Sequence, residues 1–251
     1  MKIIAKLLFI TAIVTLLYPF IGRLSQQFIA AAEPIGDYLQ VYGGIYGVLA
    51  AFIIFVVWGQ FTTTETAISK EASNLEVLAE LLNFLDEGHA AQKALCRRLI
   101  SHYAAVVASD EFSALAKGQE SQQADKTFHT LLKEVHKLRT QISSSQDLEI
   151  YTHILTTIAE AVRLRDDRVT ISKTRIPVTL WRLLQGVSYT LILSSTLLPV
   201  QNSLIGYFLL LLITLVCSLL LIVIADIDNP FQGVWTISTE PLNLLAAKHR
   251  S

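Results

Sequence analysis

The stretch GVLAAFIIFVVWGQFTTTETAISKEASNL, Gly47 to Leu75, decides how the rest of the chain is read. Tyr42 to Phe61 carries no charge, and the polar segment that follows, Thr62 to Glu71, contains neither glycine nor proline. An apolar run of about 20 residues matches the hydrocarbon core of a bilayer. The unbroken join predicts a membrane-spanning helix that continues directly into a helix surrounded by water.

The composition agrees with that division. Only 16% of the 251 residues are charged and 52% are hydrophobic, where an ordinary soluble domain carries about a quarter charged residues. Mean hydropathy is +0.48. Most of the charge lies between Thr62 and Arg182, so the chain reads as a membrane protein with a water-soluble middle. A net charge of −1 supplies no electrostatic footprint for nucleic acid.

Four segments have the length and character of spans: Ile3 to Gly22, Tyr42 to Phe61, Leu183 to Val200, and Ser203 to Ala225. Lys6 lies near enough to the end of the first to snorkel. Only Gln201-Asn202 separates the last two, which predicts a tight hairpin near Pro199. Lys2 and Lys6 precede the first span and Lys248 and Arg250 follow the last, while the loop after the first holds only Arg23 against Glu33 and Asp37. The positive-inside rule then puts both termini and the middle in the cytoplasm. The expected domains are spans one and two at 1–61, a cytoplasmic helical region at 62–182, a transmembrane hairpin at 183–225 and a cytoplasmic tail at 226–251. A cleaved signal peptide ending near Ala30-Ala31-Ala32 is the rival reading for the first span. The apolar run is long for that role and the small residues lie several polar positions beyond it, so a retained span is preferred.

Between the spans, apolar residues recur at helical spacing: Leu75, Leu78, Leu82 and Leu85; Leu95, Leu99, Tyr103 and Val106; Phe128, Leu131, Val135, Leu138 and Ile142; Ile154, Ile158 and Val162. Gly88, Lys117-Gly118 and Ser143-Ser144-Ser145 punctuate them. The last helix is predicted to run to about Thr174, because Pro177 disfavours helix at Ile176. No alternating β pattern persists, so the fold class is all-α.

No catalytic motif and no phosphate-binding loop is present, and no cofactor is expected. His129 and His136 flank Glu134 two helical turns apart, too far for one ion without a further ligand, so no metal site is expected. Cys96 and Cys217 fall in segments of different character and read as buried thiols rather than a disulfide. RLRDDR, Arg163 to Arg168, reads as a solvated helix end with local ion pairs in preference to a basic ring that attracts anions. Arg175 and Arg182 bracket Pro177 and Trp181 at the start of the third span. They are candidates to offset Asp226 and Asp228, which close the fourth span where a helix C-terminus repels negative charge. Asn229-Pro230 reads as a helix restart, and Phe231 as a pin holding this membrane-exit turn against the helical middle.

In the second span Gly43 and Gly47 stand at small-xxx-small spacing, the mark of a close packing seam. Gly44, Val48 and Phe52 fall one turn apart, with Phe55 near the same stripe. Such a stripe around a symmetry axis makes an apolar constriction that gates by dewetting. Periodicity alone favours the seam. No span carries an interior ionisable residue, which argues against a proton-coupled transporter or a pump.

Three stretches give the chain a family resemblance. They are the opening stretch, with a glutamate about two turns into its cytoplasmic part; AVRLRDDRVTISKTRIPVTLWRLL, Ala161 to Leu184; and IADIDNPFQGVW, Ile224 to Trp235. Together they resemble the bacterial bestrophin-like membrane proteins, distant relatives of the bestrophin anion channels, over roughly half the chain. The resemblance implies a bacterial inner-membrane protein and a homo-oligomer, a pentamer in bestrophins, whose second span lines a narrow neck for small inorganic ions such as chloride. Val48 and Phe52 would line it, with Gly44 as a third, wider position. QGVWTIST stands where animal bestrophins carry a calcium-holding acidic cluster, so calcium gating is not expected. Besides the bilayer and other copies of itself, the alternative partner is a cytoplasmic protein recruited to a membrane-anchored helical scaffold or sensor.

Overall fold

The computed structural model describes residues 33–197 and 203–248, together with Ile13. The first expected span, the signal-peptide alternative and the hairpin tip at Pro199 lie outside them. Every regular element among the described residues is helical: α1 (Glu33–Asn83), α2 (Ala90–Val106), α3 (Phe112–Leu115), α4 (Gln122–Leu138), α5 (Ser145–Lys173), α6 (Val178–Ser195), α7 (Ser203–Ile227) and α8 (Glu240–Lys248). A short 3-10 turn at Glu87–His89 precedes α2, and a π-helical turn at Val107–Glu111 joins α2 to α3.

α1 is one helix of 51 residues. Its threonine-rich part stays helical because the hydroxyls bond backward along the same helix. Thr62 and Thr63 donate to the Gly59 carbonyl, Thr64 to Gln60 and Thr66 to Thr62, at 2.7–3.1 Å. Side chains that otherwise compete with a helix for hydrogen bonds are thereby satisfied within it.

The chain forms two units, each assembled from separated segments. The first comprises residues up to Trp58 and Ile176–Asp228, the second Gly59–Arg175 and Asn229–Ser251. In the first, α7 exposes Leu204, Phe208, Leu211 and Leu215 and buries Thr214 and Cys217. Ser188 and Thr214 donate to carbonyls one turn back at 2.7 Å, so these buried polar groups suit an apolar surround. Among the described residues, α1 and α7 are long and apolar enough to span a bilayer, and α6 passes that test only together with α5.

In the second unit α2 packs against α4 and α8. Leu75, Leu78, Leu82, Leu131, Val135 and Leu138 are buried at the expected positions. On α2 the expected face holds at Tyr103 and Val106, both buried, and is displaced in the first half, where Leu95 is exposed and Cys96 and Ile100 are buried instead. Both α4 and α8 cover α2, so its apolar side is set by two neighbours rather than by its leucines. Ser121 and Ser144 cap α4 and α5, accepting from Ala124 and Gln146. Gly118, with φ of 72°, ends α3 in the left-handed conformation that glycine adopts without strain. α5 ends at Lys173 with Thr174 as its cap, ahead of Pro177 as the sequence predicts.

Candidate functional site

In the first unit α1 has two distinct faces. Leu39, Tyr46, Ala50, Ile53 and Val57 are buried, while Val48, Phe52 and Phe55 are 74%, 58% and 76% exposed. A helix repeat of about 3.6 residues sets these groups on opposite sides. Val41, Gly44, Ile45, Val48, Leu49 and Phe52 line one open apolar recess. A Cβ added at Gly43, Gly44 or Gly47 would meet nothing described within 4 Å beyond its chain neighbours and the adjacent backbone of its own helix. No close contact within the described chain therefore requires glycine at these positions.

The exit from α7 is a single turn, not the helix restart read from Asn229-Pro230. Gln232 donates to the Asn229 carbonyl at 3.1 Å, and helix resumes only at Glu240. Pro230 fits the second position of such a turn, and Gly233 follows with φ of 134°. Asp228 Oδ1 accepts from the Ile176 backbone N–H at 2.9 Å. Arg175 donates to Asn229 Oδ1 at 3.0 Å, and Asn229 Nδ2 donates to the Ala116 carbonyl at 3.0 Å. Phe231 meets Phe112 edge to face, with ring centroids 5.2 Å apart. Asp226 is half-buried, and Arg182 stands exposed in the first turns of α6.

The RLRDDR run divides into an exposed and a buried part. Arg163 is exposed and pairs with Glu160 and Asp167 at 2.6 and 2.9 Å, the local ladder expected of a solvated helix end. Arg168 departs from that reading, for it is wholly buried. Its Nε reaches Glu71 Oε2 at 2.7 Å and its Nη1 lies 2.9 Å from Glu111 Oε2. The Tyr103 hydroxyl donates to Glu71 Oε1 at 2.6 Å and accepts from Arg168 Nη2 at 3.3 Å. Arg165, also buried, lies 3.2 Å from Asp125 and 3.8 Å from Glu111, with its guanidinium over the Phe128 ring.

The π-helical turn ends on Glu111. An extra residue in the turn changes which side chains face inward, and here a carboxylate meets two guanidinium groups. Neither Glu111 oxygen has an aligned hydrogen bond, so charge holds it there. Burial raises the Tyr103 pKa well above its ordinary value, and the neighbouring Glu71 adds to the rise. Burial opposes the charge on Arg168, but Glu71, Tyr103 and Glu111 outweigh it and its proton is held more tightly than usual. The Cys96 thiol is pushed up to about 12, chiefly by burial, and is inert at neutral pH. Both cysteines are free, and no cluster of metal-ligating side chains occurs among the described residues.

Apolar helices with exposed apolar faces, continued by a helical unit with its own core, define a class of all-helical membrane protein. The chain belongs to the Bestrophin-like family, whose domain matches residues 7–242. Among solved structures, a variant of a bacterial bestrophin homolog from Klebsiella pneumoniae is 14% identical with a TM-score of 0.75, and the match covers 100% of this chain and 97% of that one. The same homolog in another crystal structure gives 15% identity and a TM-score of 0.66 over 95% of each chain. A structure described as a membrane protein variant gives 12% identity and a TM-score of 0.74, covering 98% and 96%. At such identities the likeness establishes the bestrophin fold. No curated protein matches the chain in sequence.

Proposed function

We propose that this protein is an oligomeric, pentameric ion channel of the bacterial inner membrane that conducts small anions such as chloride. Family membership over residues 7–242 supports the class, and the exposed stripe on α1 carries the reading. Val48, Phe52 and Phe55 are large apolar side chains, largely uncovered within one chain and aligned on one helix face. Around a rotational axis such a stripe becomes a narrow apolar ring, which holds back ions by excluding water until it widens. Gly44 on the same recess makes the ring wider at that level. Four spans, with the first at Ile3 to Gly22, place both termini and the 62–182 region in the cytoplasm. Residues 183–225 then form the second hairpin and 226–251 a cytoplasmic tail. Asp226 to Phe231 form the membrane-exit turn, with Arg175 and Arg182 as neighbouring cations.

The test is the reversal potential of purified protein in planar bilayers under a KCl gradient. Currents reversing near the chloride potential are expected. Reversal near the potassium potential overturns the anion assignment, and silence from an intact oligomer overturns the channel.

A further inference from the structure

Behind the exposed stripe, α1 turns a face made of Leu39, Ala50, Ile53 and Val57 inward, and among them stands Tyr46, only 5% exposed. Contacts between aliphatic groups are non-directional, so a helix can rotate or slide along such a face at small cost. A tyrosine hydroxyl is directional. The Tyr46 hydroxyl is turned toward Ser188 on α6 and Cys217 on α7, both buried. It is buried without a hydrogen-bond partner among the described residues. Ser188 gives its own proton to the Leu184 carbonyl at 2.7 Å, so its oxygen is available to that hydroxyl as an acceptor. One phenolic proton therefore faces two acceptors on two different helices, where no bulk water offers a substitute.

We infer that Tyr46 is a positioning residue for the stripe: its choice between Ser188 and Cys217 sets the rotation of α1, and with it the side chains that Val48 and Phe52 present on the opposite face. A small turn of the helix moves the front stripe as far as the back contact, so a weak hydrogen bond behind the helix governs the opening in front. The current readout rests on the channel reading above, and the second readout below does not.

The experiment removes one oxygen, by Tyr46→Phe, in the full-length protein reconstituted in membranes. Unitary conductance or open probability should change about threefold or more, the effect of one modest hydrogen bond. Ser188→Ala should shift it the same way, and the double variant should add nothing to the larger single effect. Independently, Val48→Cys is reacted with a charged methanethiosulfonate reagent with and without Tyr46→Phe. The native thiols Cys96 and Cys217 are buried and leave the background quiet. The labelling rate should change by a similar factor while the thermal midpoint stays near native. If native protein conducts and neither variant alters current or labelling, the inference is overturned. If native protein is silent, the channel reading fails, and an altered labelling rate still upholds the positioning role while an unaltered one removes it. Should Tyr46→Phe not assemble, Ser188→Ala and Cys217→Ala carry both readouts alone.

Discussion

In the first unit α1 leaves Val48, Phe52 and Phe55 uncovered, and in the second the same helix buries Glu71 completely. The two arrangements answer to different surroundings. An apolar side chain exposed to lipid or to a dewetted passage gives up no hydration, so exposure there carries little penalty. A carboxylate sealed from water does carry one, and it persists only because Arg168 and Tyr103 replace the lost hydration with aligned donors. One end of the helix is thus specified by what it leaves open and the other by what it closes over.

The contrast breaks most sharply at Arg168. Arg168→Met leaves Glu71 and Glu111 buried without their shared cation, and a loss of about 3–5 kcal/mol is expected in unfolding of the solubilised protein. Adding Glu71→Leu should cost less than the sum of the two singles, as groups of one network do in a double-mutant cycle. In the other region the balance between stability and function reverses. Val48→Ala and Phe52→Ala remove little packed surface, so the thermal midpoint should stay near native while bilayer conductance rises severalfold.

A finer test uses pH. The Tyr103 pKa is raised in the folded protein, so the proton is held more tightly there than in the unfolded chain. The stability this confers is full below the ordinary tyrosine range near about pH 10. It is lost as pH rises through that range towards the folded value. Tyr103→Phe should flatten this alkaline limb and, by leaving Glu71 Oε1 short of a donor, cost about 1–3 kcal/mol at neutral pH. The smallest effect belongs to Arg163→Ala, whose exposed ladder should leave the midpoint unchanged within error and so sharpen the contrast with Arg168.

Much of this was legible in the sequence, for local reasons. The passage of α1 through Phe61 and Thr62 follows from a stretch without helix breakers, and the end of α5 at Lys173 follows from Pro177. The buried core of α4 was visible in the spacing of Phe128, Leu131, Val135 and Leu138. Arg168 was misread because its partners Glu71 and Glu111 are distant in sequence, while Asp166 and Asp167 offered a nearer, wrong account of the charge. A faint signal existed: Ala161, Leu164, Arg165, Arg168 and Ser172 share the buried side of α5. The π-helical turn left no such mark, since one extra residue in a helix has no composition of its own. At Asn229-Pro230 the capping pair suits a helix start and a tight turn alike, and the side-chain bonds of Asn229 decide for the turn.

The second unit draws α8 from beyond α6 and α7 in the chain, and the Ala246 carbonyl accepts from the Ser101 hydroxyl at 2.6 Å. During synthesis, α2 therefore emerges with one flank bare and stays so until α6 and α7 have been made and α8 follows them from the ribosome. A chain that stops or misfolds before α8 keeps the flank around Ser101 uncovered, and a chaperone or protease can read that exposed side of α2 as notice of the failure.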